Sequence, residues 1–119
     1  MAPPYSIAVV VGSLRKDSFN RKMARAAMAL APATLSATIV EIGDLPHYNM
    51  DLEVDAPPAA WVAFRDAIRP VAGVLFVTPE FNRSVPGALK NAIDVGSRPY
   101  GKSVWSGKPC AVRSLTGGE

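Results

Sequence analysis

The 119-residue sequence contains a single cysteine and a single histidine, Cys110 and His47. One cysteine cannot form an internal disulfide, which fits a reducing compartment. No group of residues has the spacing of metal ligands, so we expect no metal site. We interpret His47 as a surface residue in a proline-rich loop, and Cys110 as an inert thiol inside a buried strand.

Long hydrophobic runs are also absent. Ile7–Val11 and Val74–Val77 are far shorter than a membrane span requires. Because no hydrophobic stretch follows a basic start at the N-terminus, we expect no secretory signal, no membrane partner and a cytoplasmic protein. Charged residues are only 19% of the chain and apolar residues 49%, which is typical of one globular domain spanning residues 1–119.

Basic residues outnumber acidic ones and give a net charge of +3, but they form no long tract, so we expect no nucleic-acid partner. The densest group lies between Arg15 and Arg25. We interpret it as a solvated helix face that also attracts a phosphate-bearing ligand.

Apolar patterning along the chain alternates between strands and helices. The first and third strands are continuous apolar runs, as in strands that are buried on both faces. This order predicts an α/β three-layer sandwich with a parallel sheet. The predicted strands are Ser6–Val11, Thr38–Ile42, Val74–Val77 and a fourth beginning at Lys108; the helices are Arg21–Leu30, a second from Pro57 to Pro70 and a third from Pro86 to Asp94.

Two details of this pattern concern packing. Residues from Leu45 to Pro58 are rich in proline and acidic side chains, which predicts a surface loop. The inner faces of the second and third helices are predicted from helical spacing. Those faces comprise Trp61, Phe64, Ala67 and Ile68 in the second helix, and Leu89, Ala92 and Ile93 in the third.

The first loop, Gly12–Asn20, joins a buried strand to a helix N-terminus, where free N–H groups and the helix dipole favour an anion. Ser13, Ser18 and Asn20 can donate to phosphate oxygens, and Arg15 adds a permanent charge. Capping of the helix by Ser18 or Asn20 is the simpler alternative. The four residues together favour phosphate. The absence of a P-loop and of the three-glycine dinucleotide pattern disfavours nucleoside triphosphates and the classical NAD-binding folds.

The second loop, Thr78–Gly87, follows the third strand. Its N–H groups around Glu80 to Asn82 and the ring of Phe81 suit a flat polar ring system, whereas Ser84 could instead cap the following helix. On composition the two interpretations are equal. If the first and third strands are neighbours, both loops face one crevice at the switch point of the sheet.

Together these motifs carry a resemblance. The segments Gly12-Ser-Leu-Arg-x-x-Ser-x-Asn20 and Pro79-Glu-Phe-Asn-x-Ser-x-Pro-Gly-x-Leu-Lys-Asn-x-Ile-Asp94 resemble the NADPH-dependent FMN reductase family, which is flavodoxin-like and includes chromate, quinone and azo-dye reductases. Residues 45–51 and 97–99 are also similar to that family. The resemblance extends from Ser6 to about Val112.

The resemblance implies an FMN cofactor with NADPH or NADH as co-substrate. It implies ping-pong hydride transfer to quinones, free flavin, azo compounds or metal oxyanions such as chromate, with no catalytic acid or base from the protein. Phe81 stands where many family members have tyrosine. The implied phosphate ligands are Ser13, Arg15, Ser18 and Asn20; the implied isoalloxazine and ribityl contacts are Pro79, Glu80, Phe81, Asn82 and Ser84.

The resemblance further implies a homodimer or homotetramer, with Arg98 either in the interface or simply solvated. Family members continue well beyond the fourth strand, so we expect a domain truncated there, with an open strand edge that favours association or lowers stability. Two alternatives stay open: a flavin-binding or electron-carrier module, and a truncated oligomerising fragment without reductase activity.

Overall fold

Strands and helices alternate along the chain in a computed structural model, which describes residues 4–115. Four strands and three α-helices are formed in this range, with one 3₁₀ helix between the second strand and the second α-helix. The elements are β1 (Tyr5–Val11), α1 (Phe19–Leu30), β2 (Leu35–Ile39), the 3₁₀ helix (Met50–Glu53), α2 (Ala59–Ile68), β3 (Gly73–Val77), α3 (Gly87–Ser97) and β4 (Cys110–Arg113).

The four strands form one parallel sheet in the order β2-β1-β3-β4. The predicted α/β fold with a parallel sheet is therefore confirmed. The central strands β1 and β3 pair from Ile7 with Gly73 to Val11 with Val77. Their carboxyl ends consequently lie side by side, and the loops that follow them leave from the same edge of the sheet.

Alternate residues of the central strands face different helices. Ala8 and Val10 of β1 pack into the larger core cluster with α2 and α3, around Trp61 and Leu89. Val9 and Val11 face the other way into a smaller cluster with Ala24 and Met23 of α1. The sheet thus lies between two helical layers, as the three-layer sandwich requires.

The prediction for the second strand was wrong in its bounds, because β2 spans Leu35–Ile39 rather than Thr38–Ile42. Pairing with β1 begins at Tyr5 opposite Leu35 and ends at Val9 opposite Ile39. Because β2 lies at the edge of the sheet it needs little apolar burial, so the polar residues Ser36 and Thr38 are tolerated in it. The predicted bounds instead followed the apolar residues from Ile39 to Ile42.

The prediction that Cys110 is a buried thiol was also wrong. All four residues of β4 are exposed, Cys110 among them. Within residues 4–115, β4 pairs on one side only, with β3. A strand becomes buried only where helices cover its faces, and apolar composition alone does not supply that cover.

The segment predicted as a surface loop, Leu45–Pro58, is tied closely to the helices. Asn91 of α3 accepts from the N–H of Tyr48 at 2.8 Å and donates to the carbonyl of Pro46 at 3.0 Å. Arg65 of α2 forms a bidentate ion pair with Glu53 at 2.9 and 3.1 Å. The 3₁₀ helix is therefore held against the domain, although most of its side chains are exposed.

Most of the predicted inner helix faces are confirmed. Trp61, Phe64 and Ile68 are buried in α2, and Leu89 and Ala92 in α3. The exceptions are Ala67, which is exposed, and Ile93, which is half-buried. None of the helices in residues 4–115 has the length and apolar character needed to cross a membrane.

Candidate functional site

A pocket of about 320 Å³ opens at the carboxyl edge of the sheet, between the loops after β1 and β3. The predicted meeting of these two loops in one crevice is confirmed. No carboxylate, imidazole or thiol lines the pocket. Its lining residues are Gly12, Ser13, Leu14, Arg15, Phe81, Pro86, Gly87 and Ala88.

Gly12 allows the two loops to approach each other. A Cβ added to Gly12 would lie 2.6 Å from the Cβ of Thr78, too close for a real side chain, and 3.2 Å from Cδ2 of Leu89, which is tighter than ordinary contact. The N–H of Gly12 donates to the carbonyl of Val77 at 2.8 Å and extends the pairing of β1 with β3. Glycine is therefore required here by close approach rather than by a turn.

In the first loop, Ser13 and Arg15 reach the pocket. Ser13 is buried, and its Oγ accepts a long hydrogen bond, 3.4 Å, from the N–H of Arg15. Arg15 itself is exposed. A hydroxyl and a permanently charged guanidinium thus lie on one wall, where an anionic group can be bound.

Ser18 lies behind this wall and caps α1. Its Oγ accepts from the N–H of Arg21 at 3.2 Å, and the residue is fully buried. The capping alternative is therefore confirmed for Ser18. Helix α1 starts at Phe19 for this reason, two residues earlier than predicted.

Asn20 is also fully buried and does not line the pocket. Its Nδ2 donates to the carbonyl of Leu115 at 3.1 Å, and its Oδ1 accepts from the N–H of Leu115 at 3.2 Å. No local pattern predicts this contact, because the two residues are 95 positions apart.

In the second loop, Phe81 and Ser84 close a tight turn. The N–H of Phe81 donates to the carbonyl of Ser84 at 2.9 Å, and the reverse bond is 3.0 Å. Asn82 and Arg83 at the tip have positive φ angles of 51° and 64°, as in a type I′ turn. One of the N–H groups expected to bind a ring edge, that of Phe81, is therefore used within the turn.

The turn presents the Phe81 side chain to the pocket with 45% of its surface exposed. Pro79 is buried at the base of the loop, whereas Glu80, Asn82 and Ser84 are exposed and do not line the pocket. Of the five site residues predicted in the second loop, only Phe81 lines the pocket. The other four belong to the loop that carries Phe81.

Helix α3 begins beside the pocket without a side-chain cap. Pro86 is its N-cap residue and makes no side-chain hydrogen bond to the helix, so the alternative that Ser84 caps it was wrong. Pro86, Gly87 and Ala88 line the pocket, although none of them was among the predicted site residues. The first N–H groups of a helix carry partial positive charge that favours an anion or a ring oxygen nearby.

The remaining basic residues of α1 are partly engaged elsewhere. Arg21 forms a bidentate ion pair with Glu41 at 2.9 Å. That hydrogen bond raises the pKa of Arg21 above its ordinary value and lowers the pKa of Glu41. The charge of Arg21 is therefore largely balanced by Glu41. Arg21 does not line the pocket, whereas Arg15 does.

Other candidate residues lie apart from the pocket. His47 is exposed in the segment before the 3₁₀ helix, and Arg98 is exposed with its guanidinium 6.0 Å from the ring centre of Tyr100. No group of three metal-binding side chains occurs among the described residues. The interface role of Arg98 stays a prediction.

Pocket size alone does not distinguish this site. A pocket of about 250 Å³ lies between β2 and α2, and one of about 200 Å³ lies beside α1. The first is lined by small hydroxyl and aliphatic residues and the second by aliphatic residues with methionine. Neither contains a charged side chain or a helix N-terminus, and neither lies at the switch point of the sheet.

Sequence comparison identifies the family. The pattern of the NADPH-dependent FMN reductases matches residues 5–119. The chain belongs to this family. The loops after β1 and β3, which carry the resemblance to this family, both contribute residues to the pocket described above.

Individual members of the family are similar over nearly the whole chain. A quinone reductase of Pseudomonas putida is 68% identical over 118 residues, which are 99% of this chain and 63% of the relative. A 2-hydroxy-1,4-benzoquinone reductase of Burkholderia sp is 56% identical, covering 89% of this chain and 57% of the relative. The chain thus spans less than two thirds of the length of these relatives.

A solved structure of the family has the same fold. FerB, a flavoenzyme NAD(P)H:(acceptor) oxidoreductase from Paracoccus denitrificans, superposes with a TM-score of 0.88 at 49% identity. The match covers 94% of this chain and 61% of FerB. The flavodoxin-like arrangement of sheet and helices is therefore shared with a family member.

Proposed function

We propose that this chain forms the FMN-binding part of an NAD(P)H-dependent reductase whose acceptors are quinones. One observation supports this above the others. The two family motifs, in the loops after β1 and β3, both contribute to a single pocket at the switch point of the sheet. The names of the relatives from Pseudomonas putida and Burkholderia add the quinone.

The residues of the pocket fit FMN. Gly12 allows the loop after β1 to lie close to Thr78 and Leu89, which brings the two walls of the pocket together. Ser13 and Arg15 would hold the phosphate, because a hydroxyl and a fork of N–H donors suit its oxygens. Phe81 would pack against the isoalloxazine ring, since it offers a half-exposed aromatic face.

The other predicted site residues would act behind this surface. Ser18 and Asn20 would hold the phosphate loop in shape through their hydrogen bonds to Arg21 and Leu115. Pro79, Glu80, Asn82 and Ser84 would form the turn that presents Phe81.

Bound FMN would supply the hydride chemistry that links a reduced nicotinamide to an acceptor. The protein's part is to bind, orient and exclude water. No carboxylate, imidazole or thiol lines the pocket, so no proton transfer is assigned to a side chain. The fixed charge of Arg15 would favour negative charge on a bound group.

Acceptors other than quinones are less directly supported. Free flavin, azo compounds and chromate stay predictions that the family resemblance implies. The homodimer or homotetramer and the cytoplasmic location stay predictions as well.

The test is an absorbance spectrum of the purified chain after FMN is added and the excess removed, followed by anaerobic NADPH. Retained flavin bands that then bleach support the proposal. Bands that persist without bleaching indicate a flavin-binding module instead, and a chain that retains no flavin contradicts the proposal for this sequence.

Variants locate the phosphate. Arg15→Ala should weaken FMN binding about tenfold, because it removes a charge-assisted hydrogen bond, and should leave riboflavin binding unchanged. Lys16→Ala is the matched control, since Lys16 is an exposed neighbour of equal charge that does not line the pocket. Equal losses in the two variants would indicate general electrostatic attraction rather than a phosphate contact.

A further inference from the structure

Asn20 makes an unusual pair of hydrogen bonds. Its carboxamide donates to the carbonyl of Leu115 and accepts from the N–H of the same residue, at 3.1 and 3.2 Å. The side chain therefore satisfies both polar groups of one peptide-chain residue, as a neighbouring strand would. Asn20 is fully buried, and an amide in such a place is retained only where its hydrogen bonds are made.

The contact is important because Leu115 lies just beyond the end of β4. Pairing between β3 and β4 ends when the N–H of Thr78 donates to the carbonyl of Arg113 at 3.0 Å. Leu115 lies two residues beyond that end, and Asn20 lies in the first turn of α1. The contact thus directs the chain that leaves β4 toward the helix start behind the phosphate loop.

We propose that Asn20 is a positioning residue that holds the segment leaving β4 against α1, and that it acts on FMN through this segment rather than by contacting the phosphate. The part concerning FMN rests on the proposed function. Asn20 does not line the pocket, whereas Ser13 and Arg15 of the same loop do.

The described part of this segment is short. Ser114 and Leu115 follow β4 and belong to no strand. Residues 116–119 lie outside the described residues, so the role assigned to Asn20 depends on its contact with Leu115.

Amide hydrogen exchange without any flavin tests the contact itself. Asn20→Leu keeps the number and branching of the side-chain heavy atoms but removes both hydrogen bonds, so exchange at the Leu115 amide should rise about tenfold while the amides of β1 keep their protection. Asn20→Asp retains the acceptor alone and serves as the second variant if Asn20→Leu fails to fold. Unchanged exchange at Leu115, or an equal rise throughout the sheet, would overturn the proposal.

Ser18→Ala is the matched control for this experiment. It removes the cap of α1 at the N–H of Arg21 but leaves both Asn20 bonds to Leu115 in place. Exchange should rise in the first turn of α1 and not at Leu115. A rise at Leu115 equal to that in Asn20→Leu would show that any disturbance of the helix start releases the segment, and would overturn the specific role of Asn20.

A double-mutant cycle tests the route to FMN. Leu115→Pro removes the N–H that Asn20 accepts, and Leu115→Ala, which keeps that N–H, is its control. If Asn20 acts through the segment, the two losses of FMN affinity should not add. The double variant Asn20→Leu/Leu115→Pro should then bind FMN no more weakly than whichever single variant has the lower affinity. If Asn20 contacts the phosphate directly, the two losses multiply, and the proposal is wrong.

The two experiments separate this proposal from the proposed function. An unaltered chain that binds no FMN contradicts the proposed function. The exchange measurement, which needs no flavin, still decides whether Asn20 holds the segment.

Discussion

Replacing Gly12 with alanine should destabilise the domain and distort the pocket at once. The added Cβ would lie 2.6 Å from the Cβ of Thr78, about 1 Å inside the ordinary contact distance of two carbon atoms. Thr78 cannot move aside easily, because it is buried and its Oγ1 donates to the carbonyl of Pro79 at 2.9 Å. The strand ends must therefore separate.

The size of the effect follows from the kind of clash. Overpacking a well-packed site costs about 1–3 kcal/mol of unfolding free energy. We expect Gly12→Ala in the upper half of that range, because the Cβ of Thr78 is attached directly to the backbone and cannot rotate away. For a domain of this size that corresponds to a fall in the melting temperature of roughly 8–15 °C. Separation of the loops should also weaken FMN binding, since Gly12 and Phe81 line opposite walls.

Thermal unfolding followed by circular dichroism measures the stability, and flavin fluorescence measures binding. Gly87→Ala is the control for stability alone, because a Cβ at Gly87 meets nothing within 4 Å and alanine favours the helix, whereas Gly87 lines the pocket. Thr78→Ala in the Gly12→Ala background should restore part of the stability by removing Oγ1 and the methyl group. A Gly12→Ala protein as stable as the unaltered chain would refute the close-approach argument.

Three further predictions concern the packing and the charges around the site. Gly96→Ala should cost about 1–3 kcal/mol and change the tryptophan fluorescence, because the added Cβ would lie 2.6 Å from the indole ring of Trp105; Gly43→Ala, with its nearest contact at 3.6 Å, is the control, and equal stabilities would contradict the clash. Arg65→Met should cost about 3–5 kcal/mol by leaving Glu53 half-buried and unpaired, and adding Glu53→Gln should recover part of that loss in urea unfolding; a loss under 1 kcal/mol would show that the pair is dispensable. The pKa of Glu41 is lowered by its hydrogen bond to Arg21, so its contribution is present above the usual glutamate pKa and is lost as pH falls through the lowered value. Because the Glu41 side chain is 64% exposed, this contribution should be below about 1 kcal/mol, and Glu41→Gln should flatten the stability profile only under acidic conditions; a difference that persists unchanged to the lowest pH would contradict the assignment.

Local patterns predicted much of the fold. Val9 to Val11 and Val74 to Val77 are continuous apolar runs, and such runs demand cover on both faces, so the central strands and the parallel sheet followed from them. The cap at Ser18 is also local, because it involves the N–H of Arg21 only three residues away. These features depend on neighbouring residues, which the sequence displays directly.

The site was predicted in part for the same reason. Two polar loops after two buried strands meet wherever those strands pair in parallel, and the pocket between Arg15 and Phe81 confirms that expectation. Composition did not show which of the predicted residues line the pocket and which support its walls. Whether a serine or asparagine reaches a pocket or supports its wall depends on side-chain direction, which the tertiary structure decides.

By itself, then, the sequence determined the order of elements, the parallel sheet, the place of the site and its family, because each is encoded in short runs and motifs. Only the tertiary structure decided that Cys110 is exposed, that Gly12 faces Thr78, that Arg65 holds Glu53 and that Asn20 binds Leu115. These outcomes depend on residues far apart in the chain, and their partners become neighbours only when the helices and strands pack together.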